Sequence, residues 1–188
     1  MKNHKILILL IIFGYPGVKA QDIIPIENSY QYFHTGYLVD SESVYVKDIN
    51  NKLSKFLGTW TGSSDGKNYE FKVSNRTVNN GAIKKDQLVM HYKITDNNGN
   101  IIESTYDLSD DNPITLKQGY MEENENYVFS YSGKDTKCGQ NGSIYFMISK
   151  STPTVGNLFL QVAGRIYPNC DTGPADQIFP QQRMTISK

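Results

Sequence analysis

The sequence predicts an all-β fold, an up-and-down antiparallel barrel of about eight to nine strands with one short helix near its start. Three observations carry that expectation. Alternating apolar runs recur along the chain and are separated by Gly, Asn and Asp clusters, the spacing of a barrel or sandwich. The composition is rich in tyrosine, with 13 in 188 residues, which suits strands better than helices. An Asp65-Gly66 turn joins the two best-patterned runs, the strongest short-range hairpin signal a sequence offers. A barrel is preferred to a sandwich because successive hairpins generate a meander, and closure removes exposed edges.

The chain opens with a basic stretch, Met1 to Lys5, followed by an apolar run from Ile6 to Phe13 and small residues at Val18-Lys19-Ala20. This pattern reads as a signal peptide over residues 1–20, cleaved before Gln21. Its apolar core is far short of the roughly 20 residues that span a bilayer. The expected product is a soluble secreted or periplasmic protein with no membrane span. Lys2, Lys5 and Lys19 leave with the leader, turning 19 basic and 19 acidic side chains into a slight acidic excess. That balance argues against a nucleic-acid partner, which calls for a basic patch.

Residues 21–47 have no sustained period and are expected to form an extended arm whose apolar side chains pack in part on the barrel domain, residues 48–188. Asp48 can cap a short helix with Ile49, Leu53 and Phe56 on one face. Lys52 and Lys55 fall in its last turn, where the helix dipole favours them. The Asp65-Gly66 turn pairs Gly62 with Tyr69, Trp60 with Phe71 and Gly58 with Val73. Trp60, the only tryptophan, then shares one apolar face with Tyr69, Phe71 and Val73, with Ile49 or Leu53 expected beside it.

Asn75 to Asp86 reads as a polar connection. In the next hairpin the facing pattern favours a three-residue loop with Gly99 in the left-handed position, pairing Ile94 with Ile102 and Met90 with Tyr106. Further alternation places Ile114, Leu116 and Tyr120 in one strand and Tyr127, Phe129 and Tyr131 in the next. Ile144, Phe146 and Ile148 follow, then Leu158, Leu160 and Val162, and finally Met184 and Ile186. Cys138 and Cys170 are an even pair in an oxidising compartment and are expected to form a disulfide. Their midpoint, Thr154, falls in a turn-like stretch, which predicts a hairpin pairing Ile144 with Gly164, Phe146 with Val162 and Ile148 with Leu160.

Two segments carry a family resemblance. The stretch Lys47-Asp48-Ile49-Asn50-Asn51-Lys52-Leu53-Ser54-Lys55-Phe56-Leu57-Gly58-Thr59-Trp60 and the ending Phe179-Pro180-Gln181-Gln182-Arg183-Met184-Thr185-Ile186 are similar to a family of small secreted Bacteroidetes proteins, a domain of unknown function. The Gln21-Asp22-Ile23-Ile24-Pro25 start fits the same family. Gly58-Thr59-Trp60 also resembles the first strand of lipocalin-like barrels, with Gly58 and Trp60 as structural residues. In that family an arginine stacks on the tryptophan, and Arg183 is the candidate here. The resemblance implies a compartment and a barrel, and no catalytic residues.

No nucleophile elbow, zinc-protease helix, phosphate loop or dinucleotide fingerprint occurs. His34 could act as a base, but a lone histidine in an aromatic arm is more often a packing or surface residue, and His91 is expected on an outer face. Asp107, Asp110 and Asp111 lack the glycine and terminal glutamate of a calcium loop, and Glu122, Glu123 and Glu125 read as a solvated turn. These features imply no enzyme, metal or cofactor. The expectation is a binding protein with a small apolar ligand inside the barrel, lined by Tyr69, Phe71, Met90, Tyr92, Phe129, Tyr131 and Phe146. The tyrosine hydroxyls would orient a polar end of that ligand. The alternative is a filled barrel that serves as a structural or protein-interaction module.

Overall fold

The computed structural model describes residues 22–35, 44–81 and 83–188. The expected leader, residues 1–20, lies outside the described residues. The described chain is mostly β. In order it forms β1 (Asp22–Pro25), helix α1 (Ser29–Thr35), β2 (Val44–Lys47), β3 (Gly58–Ser64), β4 (Lys67–Asn79) and β5 (Ile83–Asp96). Then follow β6 (Ile101–Ser104), β7 (Lys117–Met121), β8 (Tyr127–Ser132), β9 (Asn141–Ile148), β10 (Val155–Val162) and β11 (Met184–Ser187). All eleven strands belong to one sheet in the order β1-β2-β5-β4-β3-β11-β10-β9-β8-β7, with β6 paired to β5 off that path.

The sheet path is open, so the closed barrel expected from the meander is not what the ladder describes. Its two ends do approach each other. Met90 of β5 and Leu116, just before β7, form a lone antiparallel bridge with N···O distances of 2.9 and 3.2 Å. Nor is the pairing antiparallel throughout. β1 runs parallel to β2, and β2 parallel to β5. Residues 26–43 supply the dozen or more residues that a parallel crossover needs. The segment expected as an arm therefore adds two strands to the sheet, and Ile24, Ile26, Val44 and Val46 are buried in the core.

The first hairpin matches its expected register: Gly62 pairs with Tyr69, Trp60 with Phe71 and Gly58 with Val73. Asp65 and Gly66 have φ of 50° and 71°, the left-handed pair of a two-residue hairpin turn. The expected polar connection, Asn75 to Asp86, is instead a continuation of β4 and β5 around Asn79-Asn80-Gly81, with Arg76 opposite Gln87 and Thr77 opposite Asp86. The side chains of Asn79 and Asn80 accept the N–H groups of Gly81 and Ile83, at 3.0 and 3.1 Å, and so close the turn. An apolar pattern could not announce this stretch, because its side chains are polar.

Two registers differ from expectation. Ile94 pairs with Glu103 rather than Ile102, and a bulge falls between Ile94 and Thr95. Ile101 and Ile102 point outward, 64% and 43% exposed, while Glu103 is buried. The facing argument failed because the buried partner is a carboxylate. Met90 accordingly meets Leu116, not Tyr106. In the β9–β10 hairpin, Phe146 pairs with Leu158 rather than Val162 and Ile144 with Leu160 rather than Gly164. The slip is an even number of residues, so each side chain keeps its expected face. The Cys138–Cys170 disulfide is present, with Cα atoms 5.1 Å apart. Cys138 continues the ladder opposite Ile166, and Cys170 lies beyond it in the long β10–β11 connection.

The helix expected from Asp48 is replaced by turns and a single 3-10 turn, Ser54–Phe56, because Asn51 adopts φ of 53°. Asp48 still caps, accepting the N–H groups of Lys52 and Leu53 at 2.6 and 3.0 Å. Leu53 and Phe56 are buried, whereas Ile49 faces solvent. Phe56, not Ile49, is therefore the turn's contribution around Trp60: its carbonyl accepts the indole N–H at 2.8 Å. The Trp60 ring meets Phe146 edge-on, with centroids 5.2 Å apart.

Trp60→Ala should cost about 3–5 kcal/mol, the usual range for a buried aromatic. Trp60→Phe should cost less, since it keeps a ring in place and loses chiefly the indole hydrogen bond, worth about 1 kcal/mol. Urea denaturation followed by far-UV circular dichroism measures both. A loss under 1 kcal/mol for the alanine variant would remove Trp60 from the centre of the core.

Candidate functional site

All seven residues expected to line a ligand pocket (Tyr69, Phe71, Met90, Tyr92, Phe129, Tyr131 and Phe146) lie in one buried cluster. The alternation of β4, β5, β8 and β9 turns each of them inward. Between four of them stands a side chain that the expectation omitted. Phe179 packs edge-on against Tyr92 and Tyr131, at centroid distances of 4.9 and 5.2 Å, and stacks with Tyr69 and Phe71 at 6.4 and 6.5 Å. Of the seven, only Tyr69 borders one of the described clefts. The sequence marked Phe179 only through the apolar pair Ile178-Phe179 within a polar loop and as the first residue of the family-like ending.

The strap that carries Phe179, residues 163–183, is tied down through its backbone. Tyr69 donates its hydroxyl to Ile178 O at 3.0 Å, and Leu160 N–H donates to Pro180 O at 2.7 Å. Gln140 donates to Asp176 O, Ala175 N–H to Cys138 O, and the disulfide fixes Cys170. Carbonyls that enter an interior need such partners. Tyr92 donates to Glu103 at 2.5 Å, and Lys134 lies 3.2 Å from the same carboxylate. The Tyr131 hydroxyl is buried with no hydrogen-bond partner among the described residues. Burial pushes the Tyr69 phenol up to about 12 and raises those of Tyr92 and Tyr131 as well. All three remain neutral donors near pH 7.

At the other end of the core, the cation over Trp60 is Lys188, whose amine lies 4.8 Å from the ring centroid. Arg183, the candidate for that place, lies over Phe159 instead, at 5.9 Å. Exposed residues on β11 alternate with Met184 and Ile186, which direct inward.

The polar clusters make contacts of their own. His91, expected on a solvated outer face, is mostly buried; Nδ1 donates to Thr105 O at 2.7 Å and Nε2 lies 2.9 Å from Asp110. Arg76 meets Asp111 at 2.7 Å and Asp110 at 3.8 Å, while Asp107 is exposed. Glu125, assigned to a solvated turn, holds both Lys52 and Lys55, at 2.6 and 3.1 Å. Among the described residues no three His, Cys, Asp or Glu side chains come together to hold a metal. The side chain of His34 lies outside the described residues.

Sequence reasoning missed the seam between β5 and β7 altogether. Here the ladder is reduced to the Met90–Leu116 bridge, and side chains take its place. Tyr127 accepts the Leu88 N–H at 3.1 Å, and Lys85 donates to the Gly119 carbonyl. β7 bulges between Lys117 and Tyr120, with Gln118 at φ of 56°. Gly119 is required at this bulge, because a Cβ there would sit 2.2 Å from Val128 O and 2.4 Å from the Tyr127 ring. Beside the seam lies a cleft of about 480 Å³ whose wall includes Arg76, Lys85, Asp111 and Lys117.

Burial pushes the Lys85 ammonium down to about 8. The unfolded chain, with lysine near 10.4, then binds more protons than the folded one between these values, so stability rises with pH there. Below pH 8 the penalty is present in full, roughly 3 kcal/mol. Above about pH 10 the buried tyrosines act in the opposite sense. Wild type should therefore gain stability relative to Lys85→Met between pH 7.5 and about 9.5, as measured by urea midpoints. Parallel pH profiles would rule this out.

No curated protein and no solved structure matches the chain. A family model matches residues 1–151, a span that ends before β10, the strap and β11. The chain belongs to a family of unknown function, DUF6705.

Proposed function

We propose that the protein is an exported, non-catalytic binding domain whose interior is filled and whose partner is met at the surface. The observation that carries this reading is Phe179: it occupies the place among Tyr69, Phe71, Tyr92 and Tyr131 where an apolar ligand was expected. A curled sheet of this size can be filled by its own side chains. A lipocalin-like architecture is part of the proposal. It is supported by Gly58-Thr59-Trp60 at the start of β3, by the Lys188 amine over the indole and by the bridge that brings β5 to β7. Export is supported by the leader-like first 20 residues and by the disulfide, which suits an oxidising compartment. No helix among the described residues is long and apolar enough to cross a membrane.

A second reading has one observation in its favour. The unpartnered Tyr131 hydroxyl could receive the polar end of a ligand that displaces Phe179. The uncharged fluorescent probe N-phenyl-1-naphthylamine separates the two. With a filled interior, wild type takes up no probe, and Phe179→Ala, which empties space among the aromatic rings, creates a site for it. Met90→Trp should then lose about 1–3 kcal/mol through overpacking. Saturable uptake by wild type, competed by apolar ligands, would return the interior to the role of a pocket.

A further inference from the structure

The cleft at the β5–β7 seam gathers basic side chains from β4, β5 and β7. Several cations elsewhere face carboxylates: Lys52 and Lys55 share Glu125, Lys93 meets Glu70, and Lys134 meets Glu103; others lie over aromatic rings, as Lys188 does over Trp60 and Arg183 over Phe159. In the cleft, Lys117 donates to a neutral carbonyl, Asn112 O, at 2.6 Å. Arg76 meets Asp111 at 2.7 Å through one terminal nitrogen and Asp110 at 3.8 Å through the other, and its Nε is buried with no partner among the described residues. Lys85 adds a third basic side chain from the neighbouring strand. Three basic side chains from three strands thus share a wall with Asp111, and Asp110 lies beside Arg76, in a protein whose predicted mature form is slightly acidic.

The backbone explains why these side chains converge. β7 leaves the ladder at its bulge, so Lys117 and the Gly119 carbonyl turn towards the gap instead of pairing with β5. Opposite, the β4–β5 hairpin extends past the end of β3 and presents Arg76 and Lys85 from adjacent strands. Ile83 and Tyr120 give the same cleft an apolar side. Its volume, about 480 Å³, falls within the ordinary range of small-molecule sites. A buried guanidinium N–H with no acceptor among the described residues, near an ammonium whose hydrogen bond goes to a carbonyl and which has Asp111 in its vicinity, suits an oxygen anion.

We propose that this cleft binds a small organic molecule through an oxyanion group, a phosphate, sulfate or carboxylate, held between Arg76 and Lys117 with Lys85 behind them. Ile83 and Tyr120 would take its apolar or ring portion. The inference rests on the reading that the protein binds at its surface, and the two fail separately: probe uptake by the interior removes that reading, whereas the cleft is decided by anion titration.

The test is a titration of the folded protein, without its leader, at constant ionic strength with inorganic phosphate, sulfate and acetate. Backbone and Arg76 Nε resonances are followed by NMR, with chloride as the control. Saturable shifts are expected at Arg76 and at Gln118–Gly119. The dissociation constant should rise at least tenfold in Lys117→Met and in Arg76→Lys, which keeps the charge and loses Nε. Lys150→Met, at an exposed site outside the cleft, should leave it unchanged. Saturation by phosphate or sulfate alone assigns the group to those anions, and saturation by acetate assigns a carboxylate. Shifts that grow linearly and match those of chloride would overturn the proposal, as would unchanged affinity in both cleft variants. Should Lys117→Met fail to fold, Arg76→Lys and the wild-type Arg76 Nε resonance still decide the matter.

Discussion

Backbone groups inside a fold must find partners, and the seam between β5 and β7 is where this chain meets that demand without a ladder. One bridge, the phenol of Tyr127 and the amine of Lys85 take the place of a row of interstrand bonds. Much else follows from that substitution. Tyr127 must lie fully buried with its hydroxyl against Leu88, Gly119 must lack a side chain to let it in, and Lys85 must give up hydration to reach across. The gap left beside these groups is the basic cleft. An anion there would offset part of the cost of holding Lys85 and Lys117 away from water.

The interior shows the complementary solution. A long irregular strap enters the core; its carbonyls at Ile178 and Pro180 are met by donors from the sheet, and that at Asp176 by Gln140 just before β9. Those bonds let Phe179 stand among four aromatic rings without leaving the backbone dry and unsatisfied. The disulfide anchors the same strap to the residues just before β9, so the aromatic cluster and the covalent link hold one segment from two sides.

What the sequence made legible was local. Asp65-Gly66 with apolar alternation on both sides specified one register correctly, because turn geometry and facing pattern agreed. The cysteine pair, most of the apolar strands and the inward face of all seven candidate residues were legible for similar reasons. The failures share a cause as well. Glu103 is buried by a bond to Tyr92, the extended ends of β4 and β5 carry polar side chains, and β1 and β2 pair in parallel across a long excursion. In each case the deciding partner is remote in sequence and no periodic pattern points to it. The cleft was invisible on the same ground, since Arg76, Lys85 and Lys117 belong to no motif and meet only through the failure of two strands to pair.

The pairing of β3 with β11 carries a kinetic consequence. Thr61 faces Ser187 across a separation of more than a hundred residues, in the middle of the sheet rather than at its rim. Until β11 arrives, β3 has an unsatisfied edge beside the Trp60 face, and β10 lacks its second neighbour. Continuity of the sheet therefore depends on a contact of high sequence separation, a topology associated with slow folding and prolonged exposure of sticky edges. The Asp65-Gly66 hairpin can form early and alone, whereas the sheet becomes continuous only when the strap has threaded Phe179 into place and brought β11 alongside.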